Sequence, residues 1–309
     1  MSVENYIVTE EKQALFDKLL DLLVVFDRVC KEHELKYFIA YGTLLGAIRH
    51  NGFIPWDDDV DVCMPREDYN RLKKVAAEGA FEFPYFFQDP STDEGYPKGF
   101  SRIRNSLTAE IPFDDVAMKC NRGIFLDIFP IDNIPDDKEL FRKQIKKMQL
   151  LRLFMNSYAR YYSGYGSQNT TKVKKIAYHV SCVLFKTKIL TMDRLYKKFD
   201  KTAQMYNGTK CKLCGTIASD FDDETVRFNT EWFEEGYVSH VFENTELMIP
   251  EFYDKMLKVT YGDYMKPVQA PSGHGELIYS TTVPYEQFFR ENEEYLTKRW
   301  KQQTEVKDE

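Results

Sequence analysis

The 309 residues are 43% hydrophobic and 15% aromatic, enough apolar mass for a packed core, which excludes a disordered chain. The formal charge of −7 argues against a protein that wraps nucleic acid with its whole surface, and no nucleic-acid partner is expected. The length fits one large domain, or a catalytic domain with a smaller one attached.

Thr9 can cap a helix whose first turn carries Glu10 and Glu11, favourable at the positive helix end. Leu15, Leu19, Leu22, Phe26 and Val29 keep helical spacing, so this helix runs to about His33. Tyr37 to Tyr41 reads as a buried strand, and Gly42 to Ala47 as a turn into a short helix. Val60 to Met64 reads as a second strand, and Arg66 to Glu78 as a helix. Further strands are expected at Phe100 to Arg104 and Gly123 to Phe129.

The character changes after Pro135. Lys138 to Lys201 holds sixteen Lys and Arg against three acids, a net of +13, so the remainder carries about −20. Apolar residues from Phe141 to Tyr162 keep helical spacing, with a Gly/Ser-rich break at Ser163 to Asn169. The bland reading is a solvated helical face; the sharper one is a surface facing anionic lipid or an anionic polymer, on which removing the charge of Lys172, Lys174 and Lys175 should weaken use of a lipid-linked acceptor more than a soluble one. Pro250 to Tyr261 reads as a helix, and Pro284 opens a final one ending near Trp300, with the last charged residues as a frayed tail. The fold class expected is α+β: a mixed sheet flanked by helices, with an additional basic helical segment. The divisions are a catalytic core over 1–135, a basic helical insertion over 136–205 and a C-terminal part over 206–309 that completes the catalytic domain and acceptor site.

The six cysteines are scattered, and the opening MSVENYIVTEEKQ has no basic stretch ahead of an apolar core, so a cytoplasmic protein is expected. No apolar run reaches the ~18 residues of a membrane span. Cys211 and Cys214 read either as ordinary buried thiols or as half a zinc site, whose other ligands would have to come from elsewhere, such as Cys182, His179 or Cys120.

The most informative stretch runs from Gly42 to Val62. If Asp57 to Asp61 is extended, Asp57, Asp59 and Asp61 share one face while Val60 and Val62 enter a core. Carboxylates packed this way repel unless a hard cation neutralises them, and Mg²⁺ (or Mn²⁺) with a phosphate substrate is the usual pairing. Gly42-Thr43 after a strand lets backbone N–H groups and a hydroxyl approach a phosphate. Asp127, inside the apolar run Gly123 to Pro130, is a costly position for an acid unless it is paired or metal-bound. Arg49, and Arg102 with Arg104 on one strand face, are candidates to finish a phosphate cradle.

A Gly-Thr turn followed by an Asp-x-Asp strand resembles the nucleotidyltransferase superfamily. The longer run Leu44 to Asp61, with Gly123 to Pro130 and Tyr261 to Met265, resembles the LicD family, whose acidic motif fukutin and fukutin-related protein share. The resemblance implies a nucleotidyltransferase-like fold and a transferase moving phosphocholine, or a related phospho-alcohol, from a CDP-alcohol such as CDP-choline. The acceptor would be a hydroxyl of a cell-surface glycan (teichoic acid, lipopolysaccharide) or its lipid-linked precursor. It implies Asp59 and Asp61 as the metal pair, Asp57 as the upstream acid, Asp127 as the third acid, and Gly42 and Thr43 facing phosphate. Whether Asp127 binds metal or takes a proton stays open. Lys266 to His274 lacks the family's double proline and arginine. For a choline ammonium, Trp56 beside the acids is preferred over Tyr37, Tyr41, Trp232 and Tyr261. The alternatives are transfer of a nucleoside monophosphate, a non-catalytic glycan- or lipid-binding module, and nucleic-acid processing. The expected location is the cytoplasm, peripheral at the inner face of the plasma membrane through the 138–201 segment.

Overall fold

A computed structural model describes residues 6–112, 116–164, 172–219, 224–268 and 277–306. Helix α1 (Glu10–Glu32) is capped by Thr9, whose Oγ1 accepts the N–H of Lys12 at 3.2 Å. Its apolar stripe, Leu15 to Cys30, is buried across the sheet, and Phe16 stacks on Phe53 at 4.4 Å. Strand β1 (Phe38–Ile39) is short because the chain turns at Tyr41 into α2 (Tyr41–His50). The expected strand over 37–41 is thus cut to two residues. Tyr41 takes a φ of 48°, a left-handed conformation that costs about 1–3 kcal/mol, and its buried hydroxyl is fixed by Thr216 Oγ1 at 2.6 Å.

Strand β2 (Asp61–Pro65) leads into α3 (Arg66–Ala77), followed by β3 (Tyr85–Gln88), β4 (Ser101–Asn105), β5 (Ala109–Pro112) and the long β6 (Ile124–Ile134). The order β1-β2-β6-β4-β3 is mixed: β2 runs parallel to β6, and the other pairs are antiparallel. Ile103, Leu126 and Ile128 alternate onto the face that joins the main core beneath α1. Arg102, Arg104, Phe125 and Asp127 take the opposite face. The fold is α+β, with helices against a mixed sheet.

The basic segment forms α4 (Lys138–Ser163), α5 (Lys172–Lys186) and α6 (Met192–Ala203) around a second cluster that includes Met148, Met155, Phe185 and Phe199. Arg66 of α3 joins it to the sheet, ion-paired to Asp132 of β6 and, at 2.8 Å, to Asp200 of α6. Strand β7 (Leu213–Gly215) pairs with the end of β6, and β8 (Arg227–Asn229) with β7. Strands β9 (Tyr237–Phe242) and β10 (Thr245–Pro250) form a hairpin. Helix α7 (Tyr253–Tyr261) starts later than the sequence reading, because Pro250 closes β10 rather than opening a helix. Strand β11 (Leu277–Ser280) pairs with β5, and α8 (Tyr285–Val306) runs past Trp300 through part of the stretch expected to fray. None of the described helices is long and apolar enough to cross a membrane.

Candidate active site

The site begins as a polar row across three strands. In register, Asp61 of β2 neighbours Asp127 of β6, which neighbours Arg102 of β4. All three are buried. Arg102 is ion-paired to Asp127 through Nε, donates from Nη2 to Oδ2 at 3.2 Å, and lies on the Phe125 ring at 3.8 Å. The guanidinium expected to meet phosphate therefore spends these donors on the buried acid. Arg104 turns aside too: Nε donates to Gln88 Oε1 at 2.7 Å and Nη1 to the Gly123 carbonyl at 2.8 Å. These partners brace the sheet, which corrects the expectation of a two-arginine phosphate cradle.

Asp57 to Val60 is not strand; β2 begins only at Asp61. A turn in which the Asp57 N–H donates to the Ile54 carbonyl at 2.9 Å brings consecutive carboxylates together instead of alternating them. Asp57, Asp58 and Asp59, half-buried, each offer an oxygen within 4.8 Å of the others. The alternation argument is corrected here: it left out Asp58, which converges, and grouped Asp61 with Asp57 and Asp59, although Asp61 lies deeper in the row with Asp127.

The charges are mutually unfavourable. Burial first, then Asp59 and Asp58, push the Asp57 carboxyl up to about 8. Burial, then Asp59, Asp127 and Asp57, push Asp61 up as well, with Arg102 opposing. Three converging carboxylate oxygens are a donor set that suits a hard divalent cation, so Asp57, Asp58 and Asp59 fit Mg²⁺ or Mn²⁺, with Asp61 neighbouring them.

Helix α2 supplies the wall. A Cβ on Gly42 would stand 2.5 Å from Asp57 Oδ2, so only glycine lets the acid lie against this helix. Thr43 Oγ1 accepts the Asp61 N–H at 2.8 Å, which turns the expected phosphate-facing hydroxyl toward the start of β2. Arg49, in the last turn, donates from Nη1 to the Tyr264 carbonyl at 3.1 Å. Its buried Nε, and Nδ1 of His50, have no hydrogen-bond partner among the described residues. Trp56 packs edge-on to His50 at 6.4 Å and to Tyr6 at 5.9 Å, beside the acids.

Other candidates fall elsewhere. The Tyr37 hydroxyl donates to Asp27 at 2.7 Å, Tyr41 is held by Thr216, and Trp232 packs near Phe252, so these three rings serve the core. Tyr261 does reach the site: its hydroxyl is pushed up by burial and then by Asp61, Asp57 and Asp59, with Arg49 opposing. Cys211 and Cys214 are buried free thiols, and among the described residues no third metal-ligating side chain converges on them. Part of the Lys266 to His274 run, from Gln269, lies outside the described residues.

Two residues were invisible in the sequence. Lys12 of α1 faces the cluster; burial pulls its ammonium down while Asp58, Asp57, Glu110 and Asp59 push it up. Glu110 of β5 is fully buried on the same side. Only the packing of α1 and β5 brings them there, so no local signal could have found them.

Residues 34–150, which contain the acids and Arg102, match the family model described as LicD/FKTN/FKRP, nucleotidyltransferase domain. These residues are a LicD-type nucleotidyltransferase domain. A longer similarity covers more than this LicD-type domain. The chain is 28% identical over 253 residues to the lipopolysaccharide cholinephosphotransferase LicD of Haemophilus influenzae, across 80% of this chain and 88% of that protein. An uncharacterized protein of Rickettsia prowazekii is 41% identical over 135 residues, across 42% of this chain and 46% of its own. One from Rickettsia typhi is 39% identical over 73 residues, across 24% of this chain and 23% of its own. In this chain the LicD-type domain uses α2 and the 57–59 turn to bring its acids against the β2-β6-β4 row.

Proposed function

We propose that this protein is a metal-dependent transferase. It moves phosphocholine, or a related phospho-alcohol, from a CDP-alcohol to a hydroxyl of a cell-surface glycan or its lipid-linked precursor, releasing CMP. The observation that carries the reading is the convergence of Asp57, Asp58 and Asp59 above Asp61 and Asp127, inside a LicD-type domain. The similarity to a lipopolysaccharide cholinephosphotransferase supports phosphocholine as the group moved.

In the proposed reaction the acceptor hydroxyl attacks the β-phosphorus, the P–O bond to CMP breaks, and the hydroxyl proton leaves to a carboxylate or water. A Mg²⁺ or Mn²⁺ ion held by Asp57, Asp58 and Asp59 would supply charge neutralisation for the diphosphate oxygens. Arg49 offers its unpartnered Nε to a phosphate oxygen. Arg102 already donates to both oxygens of Asp127, so the pair braces the strand row beneath the site. Trp56 and Tyr261 present rings at the edge of the acids, suited to a quaternary ammonium. Lys12 offsets part of the acidic charge from the α1 side.

The test uses CDP-choline labelled either in choline or in cytidine, a lipopolysaccharide acceptor and Mg²⁺. Choline label in the acceptor with stoichiometric CMP release is expected. Cytidine label in the acceptor would establish nucleotidyl transfer instead. No CMP with any CDP-alcohol or acceptor glycan tried would leave a binding module.

A further inference from the structure

Helix α5 has two apolar faces. One is buried: Tyr178, Ser181 and Phe185 are each at most 7% exposed, and Phe185 packs on Tyr158 at 5.1 Å. The other points outward. Ile176, Val180 and Val183, spaced four and three and so on one side of the helix, are 63%, 58% and 61% exposed. Ile189 follows, also exposed, and α4 shows Leu150 and Leu153 on the side away from its buried Met148 and Met155. A β-branched stripe left in water on a helix that already has a buried face is a surface lacking its occupant.

The charge around it identifies the occupant. Between Lys138 and Lys201 sixteen basic side chains meet three acids, and each of those acids is already engaged: Glu139 with Arg142, Asp193 with Lys197, Asp200 with Arg66. Lys146, Lys147, Lys186 and Lys188 are exposed. A second copy docking the same face would set +13 against +13. Nucleic acid would satisfy the lysines but offers nothing to Ile176, Val180 and Val183. A surface with anionic groups over an apolar interior satisfies both.

We infer that the outward face of α5, with its surrounding lysines, is a peripheral docking surface for an anionic phospholipid bilayer. The helix lies in the headgroup plane with Ile176, Val180 and Val183 entering the acyl boundary. The inference goes beyond the transfer reaction and holds whether or not that reaction is the right one.

The experiment is co-sedimentation of the full-length protein with vesicles of phosphatidylcholine, or of phosphatidylcholine with a third of its lipid replaced by phosphatidylglycerol. Binding to the anionic vesicles is expected to exceed binding to neutral ones at least about tenfold, and to weaken in high salt. The variant I176S/V180S/V183S, which changes exposed positions only, is expected to lose about tenfold or more of that binding, and K186E/K188E at least as much. Both should keep the wild-type circular dichroism, unfolding midpoint and any CMP release from CDP-choline with a soluble acceptor, which separates a docking defect from failure of the catalytic reading. Equal sedimentation with both vesicle types, sedimentation with neither, or unchanged binding by the serine variant would overturn the inference. So would a wild-type dimer in solution that the serine variant converts to monomer, since a second copy would then be the occupant.

Discussion

Thr43 and Asp61, eighteen positions apart, are joined by a hydrogen bond from the Asp61 N–H to Thr43 Oγ1 at 2.8 Å. Both are buried, so the bond fixes the first residue of β2 against the first turn of α2 and sets where the acidic turn meets the sheet. Thr43→Val removes the acceptor but keeps the shape, stranding a buried N–H at a cost of about 1–3 kcal/mol. Urea unfolding should report that loss, and Thr43→Ser should recover most of it. A Thr43→Val protein as stable as wild type would mean the bond holds nothing.

Gly42→Ala should separate stability from turnover. Alanine favours a helix by up to about 1 kcal/mol, so the unfolding midpoint should not fall. The new Cβ would lie 2.5 Å from Asp57 Oδ2 and must displace that carboxylate. Displacing a positioned group by about 1 Å costs on the order of 100-fold, so turnover should drop by ~10- to 100-fold in a CMP-release assay. Full activity in a folded Gly42→Ala protein would place Asp57 outside the reaction.

Arg102 and Asp127 should behave as a pair. Arg102→Leu leaves a buried carboxylate without its partner, at a cost of about 3–5 kcal/mol. The double variant R102L/D127L should regain much of that stability in denaturant titration while remaining inactive. If Arg102→Leu instead keeps wild-type stability and loses only activity, the guanidinium serves substrate and not Asp127.

Metal should be visible without substrate. At a hundredfold excess over Kd, a ligand of the folded state adds about 2.7 kcal/mol, so Mg²⁺ or Mn²⁺ should raise the melting temperature by about 5 °C. Asp58→Asn and Asp59→Asn should each abolish the shift. A shift that survives Asp58→Asn would return the site to the alternating set Asp57, Asp59 and Asp61. Asp59→Ala or Asp61→Ala should abolish transfer with the fold intact.

The metal-free protein should also respond to pH. The folded Asp57 carboxyl stands at about 8 against an ordinary value of 3.8, so the folded state binds a proton that the unfolded chain has released. Asp61 is raised in the same direction. Their contribution is present at low pH and is lost as pH rises through the folded value. In EDTA, stability should therefore decline between about pH 5 and about pH 8, less steeply in Asp57→Asn and less steeply again with Mg²⁺ present. A slope identical in Asp57→Asn would show that other groups set it.

Local pattern was enough for much of this chain. The Thr9 cap and the stripe from Leu15 to Val29 determined α1, the run around Asp127 determined β6, and the charge count from Lys138 to Lys201 marked the basic helices, because each signal repeats within a few neighbouring residues. The Gly42 to Asp61 motif marked the acids. Only the tertiary structure decided how those acids meet. Whether 57–60 is extended or turned depends on α2 packing beside it, and that choice brought in Asp58 and left Asp61 to the deeper row. It also gave Arg102 to Asp127, Arg104 to Gln88, and the faces of Lys12 and Glu110 to the site, since the partner of a charged group is set by which strands and helices become neighbours, and that information is spread over the whole chain.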